Sequence, residues 1–275
     1  MAETLLPYAL TTLQRVKDLM GITNTASDTI LNREINAVTE FINQSCNRKF
    51  LMTKYISEVR SQFGKNQRYV TLKNAPVFYM TDIVSVIGGG NTFTINNANG
   101  LQNGMPIFGD NILPNTTITN VSGTTITIST NFIATSTTNH IIITGLLNLM
   151  YRAGTPDNPQ WQLFTTAQYE LVNDAASGMV RVLGAVSSIY NNTIKADYYA
   201  GYLINFANAG DNLTHTLPSE ISRLCENVVI RWYKRREQAG KTQQSLENST
   251  ISYDRLMDSQ DIDIINRYRR VPSVM

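Results

Sequence analysis

Charge is the first thing this sequence is short of. Only 16% of its 275 residues are Asp, Glu, Lys or Arg, against about a quarter in an ordinary soluble protein. Thr, Asn and Ser fill the gap, a composition that suits β-rich surfaces and extended contacts with other proteins. The 23 basic residues barely outnumber the 21 acidic ones, for a net charge of +2. Coating a DNA duplex would demand a clear basic excess, so that class of function is excluded. Long apolar runs are lacking as well: nothing approaches the roughly eighteen consecutive apolar residues of a membrane span. The N-terminal MAETLLPYAL has no basic region of the signal-peptide kind, so export is not expected. Asn-x-Ser/Thr triplets at Asn115 and Asn212 then read as accidents of an Asn/Thr-rich chain.

Side chains that do chemistry are equally sparse. The two histidines, His140 and His215, stand in unrelated contexts, and no Cys/His cluster has zinc spacing. Gly88-Gly89-Gly90 is followed by Asn91-Thr92-Phe93 and no Lys, so it is not a nucleotide-binding loop. There is no Gly-x-Ser-x-Gly nucleophile elbow. Paired carboxylates occur only in DSQDID, 258–263, where a solvated first turn of a helix is the plainer reading. These absences together predict a protein that is not an enzyme and needs no metal or cofactor. The two cysteines, Cys46 and Cys225, fall on the apolar faces of expected helices; buried free thiols are the simpler expectation and a disulfide the alternative.

What the chain does contain is periodicity, first of one kind and then of another. Residues 9–20 predict a short helix ended by Gly21. Residues 27–47 predict a longer one, capped by Ser27 or Asp28, with Leu31, Ile35, Val38, Ile42 and Cys46 in one stripe. The period then drops to two. Strands are expected at 54–60, 67–72 and 75–87, the last opened by Pro76. After the triple glycine, runs such as TFTI and TTITIST alternate Thr with Ile or Val, and Ser122-Gly123 and the Asn-Gly pairs at 99–100 and 103–104 supply turns. Segment 88–145 has no Lys or Arg and almost no acid, and reads as a small all-β module inserted into a host. Host strands resume at 147–152, 167–173, 179–183 and 193–200. A loop at 205–214 precedes a long helix from Pro218 to a C-cap at Gly240. A second loop, 241–253, leads to a last helix at 254–270. The resulting fold class is α+β: a helical bundle core of two N-terminal helices and one long C-terminal helix, a small antiparallel β-sheet, and the inserted all-β module. The domains expected are a core formed by 1–87 and 146–253, the module 88–145, and a C-terminal segment 254–275.

The stretch ENVVIRWYKRREQAG, 226–240, looks at first like a nucleic-acid-reading helix. Trp232 keeps register with the buried face, however, and cations in a last helical turn are favoured by the macrodipole. Packing explains Lys234, Arg235 and Arg236 at least as well as DNA does, and contact with an acidic partner subunit is a further reading.

Four segments in order carry a resemblance. EFINQSCNRKF (40–50), LKNAPVFYMTDIVSV (72–86), ADYYAGY ending at Tyr202, and LPSEISRLCENVVIRWYKRREQAG (217–240) together resemble the head–tail connector (adaptor) proteins of tailed bacteriophages. The resemblance covers 9–87 and about 146–253 and leaves out the module. It implies a non-enzymatic virion subunit in a homo-oligomeric ring, commonly of twelve copies. Such a ring docks on the portal protein, meets tail or stopper proteins below, and continues the channel through which double-stranded DNA passes. It also implies residence in the virion neck, and in the host cytoplasm during assembly. By the same resemblance Ile264, Ile265, Tyr268, Arg269 and Arg270 become candidates for the portal contact. A terminal helix after a long loop, without an evident place in the core, independently suits a docking element. Arg231, Lys234 and Arg235 become candidates for the inter-subunit or channel-facing surface. Two other functions stay open: a carbohydrate- or surface-binding module in 88–145, and a nucleic-acid-binding regulator using 226–240.

Overall fold

The computed structural model describes residues 3–60, 68–155, 158–165, 168–172, 176–183, 193–204, 216–236, 243–246, 249–252 and 257–270. The chain forms two compact units, one from 1–51 with 203–275 and one from 52–202.

The first unit is built on helices. In α1 (Leu13–Met20) the Thr12 side chain accepts from the Arg15 N–H, and Gly21 closes the helix at φ 67°. The helix expected from residue 9 therefore starts four residues later, because the Thr12 hydroxyl takes an amide that would otherwise need a preceding turn. In α2 (Asp28–Ser45), Leu31, Ile35, Val38 and Ile42 form the expected stripe, fully buried. In α3 (Ser219–Arg235), Ile221, Leu224, Cys225, Val228 and Val229 are buried together. Polar links also tie these helices: Lys17 pairs with Asp28 at 2.7 Å, and the Thr11 hydroxyl donates to Glu226 at 2.9 Å in buried surroundings. The short α4 (Ser259–Tyr268) follows a two-stranded hairpin of β14 (Gln243–Leu246) and β15 (Ser249–Ser252). That hairpin corrects the plain loop expected at 241–253. Gly240 and the loop 205–214 lie outside the described residues, and so does the expected start of the last helix at 254.

The second unit is all β and larger than a small sheet. One antiparallel sheet has the order β1 (Thr53–Arg60), β13 (Ile194–Ala200), β9 (Leu146–Thr155), β10 (Asn158–Leu163). A second joins β11 (Tyr169–Leu171), β12 (Met179–Val182) and β2 (Tyr69–Thr71). Their shared core includes Val70, Leu149, Phe164, Val180, Ile194 and Tyr198. Tyr198 is fully buried; its hydroxyl donates to Glu58 and accepts from the Asn74 N–H at 2.9 Å. Burial, then the Glu58 carboxylate, push this phenol above its usual range.

The Thr-rich segment adds two more sheets: β3 (Tyr79–Val86), β8 (Ser136–Thr144) and β5 (Ile107–Gly109) in one, and β4 (Thr92–Thr94), β7 (Thr125–Ile128) and β6 (Ile118–Ser122) in the other. Phe93, Ile107, Ile118, Ile126, Phe132 and Ile143 are buried among them. β3 pairs with β8 from Tyr79↔Thr144 to Val86↔Ser136. The strand ahead of the triple glycine thus shares a sheet with the last strand of 88–145, and the compact units divide at 51/52 and 202/203 instead.

The overall class is α+β as expected, but a helical bundle with a small sheet is a poor description. β10 and β5 were unforeseen, and β8 runs for nine residues. Their sequences explain why. NPQWQL in β10 lacks alternation and contains Pro159, which an edge strand tolerates because it owes no inward amide bond.

Candidate functional site

The residues singled out in the sequence gather around α3 and α4. α3 presents Arg231 at the edge of its buried stripe, two turns after Leu224 and four residues before Arg235. The Arg231 guanidinium spans both carboxylates of the α4 start: one N–H donates to Asp258 at 3.0 Å and another to Asp261. Those two aspartates also cap each other's turn. The Asp258 carboxylate accepts from the Asp261 N–H at 2.8 Å, and the Asp261 carboxylate accepts from the Asp258 N–H at 3.0 Å. This reciprocal box satisfies two orphan amides and places negative charge at the positive end of the helix dipole. The Asp261 N–H, more than the Arg231 charge, holds the Asp258 carboxyl below the usual carboxylate range. Asp261 is only 2% exposed, so the reading of DSQDID as a solvated turn is corrected.

The far end of α4 folds back along α3. Tyr268 stacks at a tilt near Phe50, 6.2 Å between ring centres, and its hydroxyl lies 3.4 Å from Glu220. Arg267 reaches the other oxygen of Glu220 at 3.2 Å. The Arg270 N–H donates to the Cys46 carbonyl at 2.9 Å, and the Cys46 thiol points to the Ile265 carbonyl at 3.8 Å. Since the start of α4 meets the later part of α3 and its end meets the first turn of α3, the two helices run antiparallel.

This arrangement places each candidate. Ile265 is buried within its own unit, Ile264, Tyr268 and Arg270 are half-buried, and Arg269 is exposed. The premise that the last helix has no place in the core therefore fails for Ile265. Outward on α4 lie Ile262, Asp263 and Asn266. On α3, Arg231 is engaged by α4, Arg235 is half-buried, and Lys234 is exposed. Trp232 packs against Phe41, 5.7 Å between ring centres, the Tyr233 and Ser27 hydroxyls sit 2.7 Å apart, and the Arg236 guanidinium lies 4.7 Å from the centre of the Tyr233 ring. The Trp232 N–H and the Ser222 hydroxyl are buried with no hydrogen-bond partner among the described residues.

Sequence reasoning missed Asp258 and Asp261 as partners of α3, and Glu220 as the α3 residue that α4 meets. The spacing of Asp258 and Asp261, an acceptor three residues before a second acceptor, is the available signal; the cation they bind lies 27 residues away in sequence. The two thiols are free and buried, and burial pushes Cys46 up to about 11 and Cys225 up to about 12. Neither is a reactive nucleophile. Among the described residues no group of three or more His, Cys, Asp or Glu could hold a metal, and no helix is long and apolar enough to cross a membrane.

The helical unit thus presents capped, charge-paired helix ends. Residues 10–76 match the family described as phage gp6-like head-tail connector protein. The matched segment runs from the approach to α1 through α2, β1 and β2. No curated protein matches. Among solved structures, a chain in the neck of an empty GTA particle, computed with C6 symmetry, aligns over 98% of this chain and 95% of its own length, at 12% identity and a TM-score of 0.36.

Proposed function

We propose that this chain is a structural subunit of the neck of a tailed phage or phage-like particle, a head–tail connector without enzymatic activity. In this reading copies assemble into a ring, dock on the portal protein, and carry the DNA channel on toward stopper or tail proteins. The observation that supports it is the match of residues 10–76 to the gp6-like connector family. The charge balance agrees with it. DNA must slide past the wall of a conduit, and a strongly cationic wall would hold phosphates through counterion release; 23 basic residues against 21 acidic ones avoid that.

Within the reading, α4 offers Ile264, Tyr268 and Arg269 to the portal, and Lys234 and Arg235 lie toward a neighbouring subunit or the channel. Electron microscopy of the purified chain, alone and mixed with portal, is the test. Rings, formed alone or on the portal, are the expected result; a chain that stays monomeric with portal present overturns the proposal. Charge reversal at Lys234 and Arg235 together should weaken ring formation while leaving the helical content unchanged.

A further inference from the structure

The Thr-rich segment contains two Asn-Gly pairs, each in a four-residue turn. Asn99-Gly100 occupies the centre of a turn closed by the Leu101 N–H on the Ala98 carbonyl at 3.1 Å. Asn103-Gly104 occupies the next turn, closed by the Met105 N–H on the Gln102 carbonyl at 3.2 Å. Gly100 has φ 81° and Gly104 φ 88°, the positive value that the third residue of a type II turn requires. Both asparagines are exposed, and the residue that follows each pair, Leu101 or Met105, is buried.

The Asn99 N–H donates to the Asn97 side chain at 3.0 Å, and the two turns differ at the glycine amide. The Gly104 N–H donates to the Ile118 carbonyl at 2.7 Å, a long-range bond to a residue 1% exposed. Among the described residues no hydrogen bond holds the Gly100 N–H. That nitrogen is the one that matters for asparagine chemistry. Glycine adds no side chain to obstruct its attack on the preceding side-chain amide, and a nucleophile held beside its carbonyl reacts as an intramolecular group.

We infer that Asn99 is a site of spontaneous deamidation in the folded protein and that Asn103, the same dipeptide one turn later, is protected. The Gly100 nitrogen loses its proton to water and forms a bond to Asn99 Cγ; the Cγ–Nδ2 bond breaks, and ammonia leaves with the proton returned. The resulting five-membered imide is opened by water at either carbonyl, giving aspartate or isoaspartate. No electron is transferred, and water is the sole co-reactant. At Asn103 the same step must first withdraw the Gly104 N–H from Ile118. Each event adds one carboxylate to a segment with no Lys or Arg and with Asp110 as its single acid, and the isoaspartate product also lengthens the turn backbone by one carbon.

The test is incubation of the full-length folded chain at mildly alkaline pH, followed by peptide mass spectrometry that separates aspartate and isoaspartate products at the two positions. Asn99 should convert at least about tenfold faster than Asn103, the factor set by opening one backbone hydrogen bond first. In denaturant the two rates should converge, because both dipeptides then have the same local chemistry. Equal rates in the folded chain, or faster conversion at Asn103, overturn the inference; so does a rate difference that survives unfolding, which would trace it to neighbouring residues. Asn99→Asp should reproduce the charge change and abolish further mass change at that position.

Discussion

In the helical unit, the buried stripes are supplemented at the helix ends by charges in pairs: Lys17 on Asp28, Arg231 on Asp258 and Asp261, Arg267 on Glu220. In the Thr-rich part of the β unit there is no Lys or Arg at all across 88–145, and conformation is set by glycines that admit no side chain. An added Cβ at Gly109, where φ is 147°, would lie 2.0 Å from the His140 carbonyl oxygen. At Gly145, where β8 passes into β9, it would lie 2.8 Å from both Phe78 Cβ and the Tyr199 oxygen. Ion pairs at a helix end are adjustable by salt and pH; a steric gap of that kind is not. The helical unit therefore carries the part of the molecule that conditions can loosen, and the β segment carries a part that conditions leave alone.

Substitution at those glycines is the strongest way to break the contrast. Gly109→Ala should cost several kcal/mol, the range reserved for changes that force backbone apart, and should disrupt the β3–β8–β5 sheet while leaving α2 and α3 protected in hydrogen exchange. Gly123→Ala is the companion: its φ is also positive, 58°, but nothing lies within 4 Å of the added carbon. It should cost only about 1 kcal/mol. Similar thermal shifts for the two variants would contradict the steric account.

Next in size is the α4 anchor. Arg231→Met keeps the aliphatic stem but leaves Asp261 buried without its cation, a change worth about 2–3 kcal/mol. Exchange of the 259–268 amides should rise sharply, with β9 and β13 unaffected. Unchanged protection of α4 would mean that Ile265 and Tyr268, not the aspartates, hold the helix. The same anchor sharpens the comparison through pH. Asp258 has its carboxyl held low in the folded state, so it binds fewer protons folded than unfolded. Its contribution is present above the unfolded value and is lost as pH falls through the folded one. α4 protection should thus be flat from pH 6 to pH 8 and should decline only below about pH 4, the ordinary carboxylate range. The β3–β8 pairing should show no matching loss.

How much of this was legible follows the same divide. The stripe of Leu31, Ile35, Val38 and Ile42 announced α2 because a 3.6-residue period survives in sequence whatever packs on it. The strands around Phe93 and Ile126 were legible from alternation with Thr. β10 was not legible, since an edge strand such as NPQWQL has no obligation to alternate. The fold-back of α4 was not legible either. Its apolar residues suited docking onto another protein as well as onto its own, and only the pairing of Arg231 with aspartates at a distance of 27 and 30 residues decides between them. Lys234 and Arg235 had their helix right; which surface they serve depends on neighbours that one chain's sequence does not contain.

The smallest effect lies at the outer rim of the same helix pair. Arg267 and Glu220 meet at 3.2 Å, but their side chains are 60% and 45% exposed, so solvent and salt screen the pair and its ordering entropy offsets much of the attraction. Arg267→Ala should change stability by no more than about 0.5 kcal/mol, and the change should vanish in high salt as the screening length contracts. The comparison with Arg231 is the point of the measurement, since both arginines join α3 to α4 and both bind carboxylates. If Arg267→Ala frees α4 as fully as Arg231→Met does, then the geometry at the buried end confers no special hold, and α4 is fastened evenly along its length.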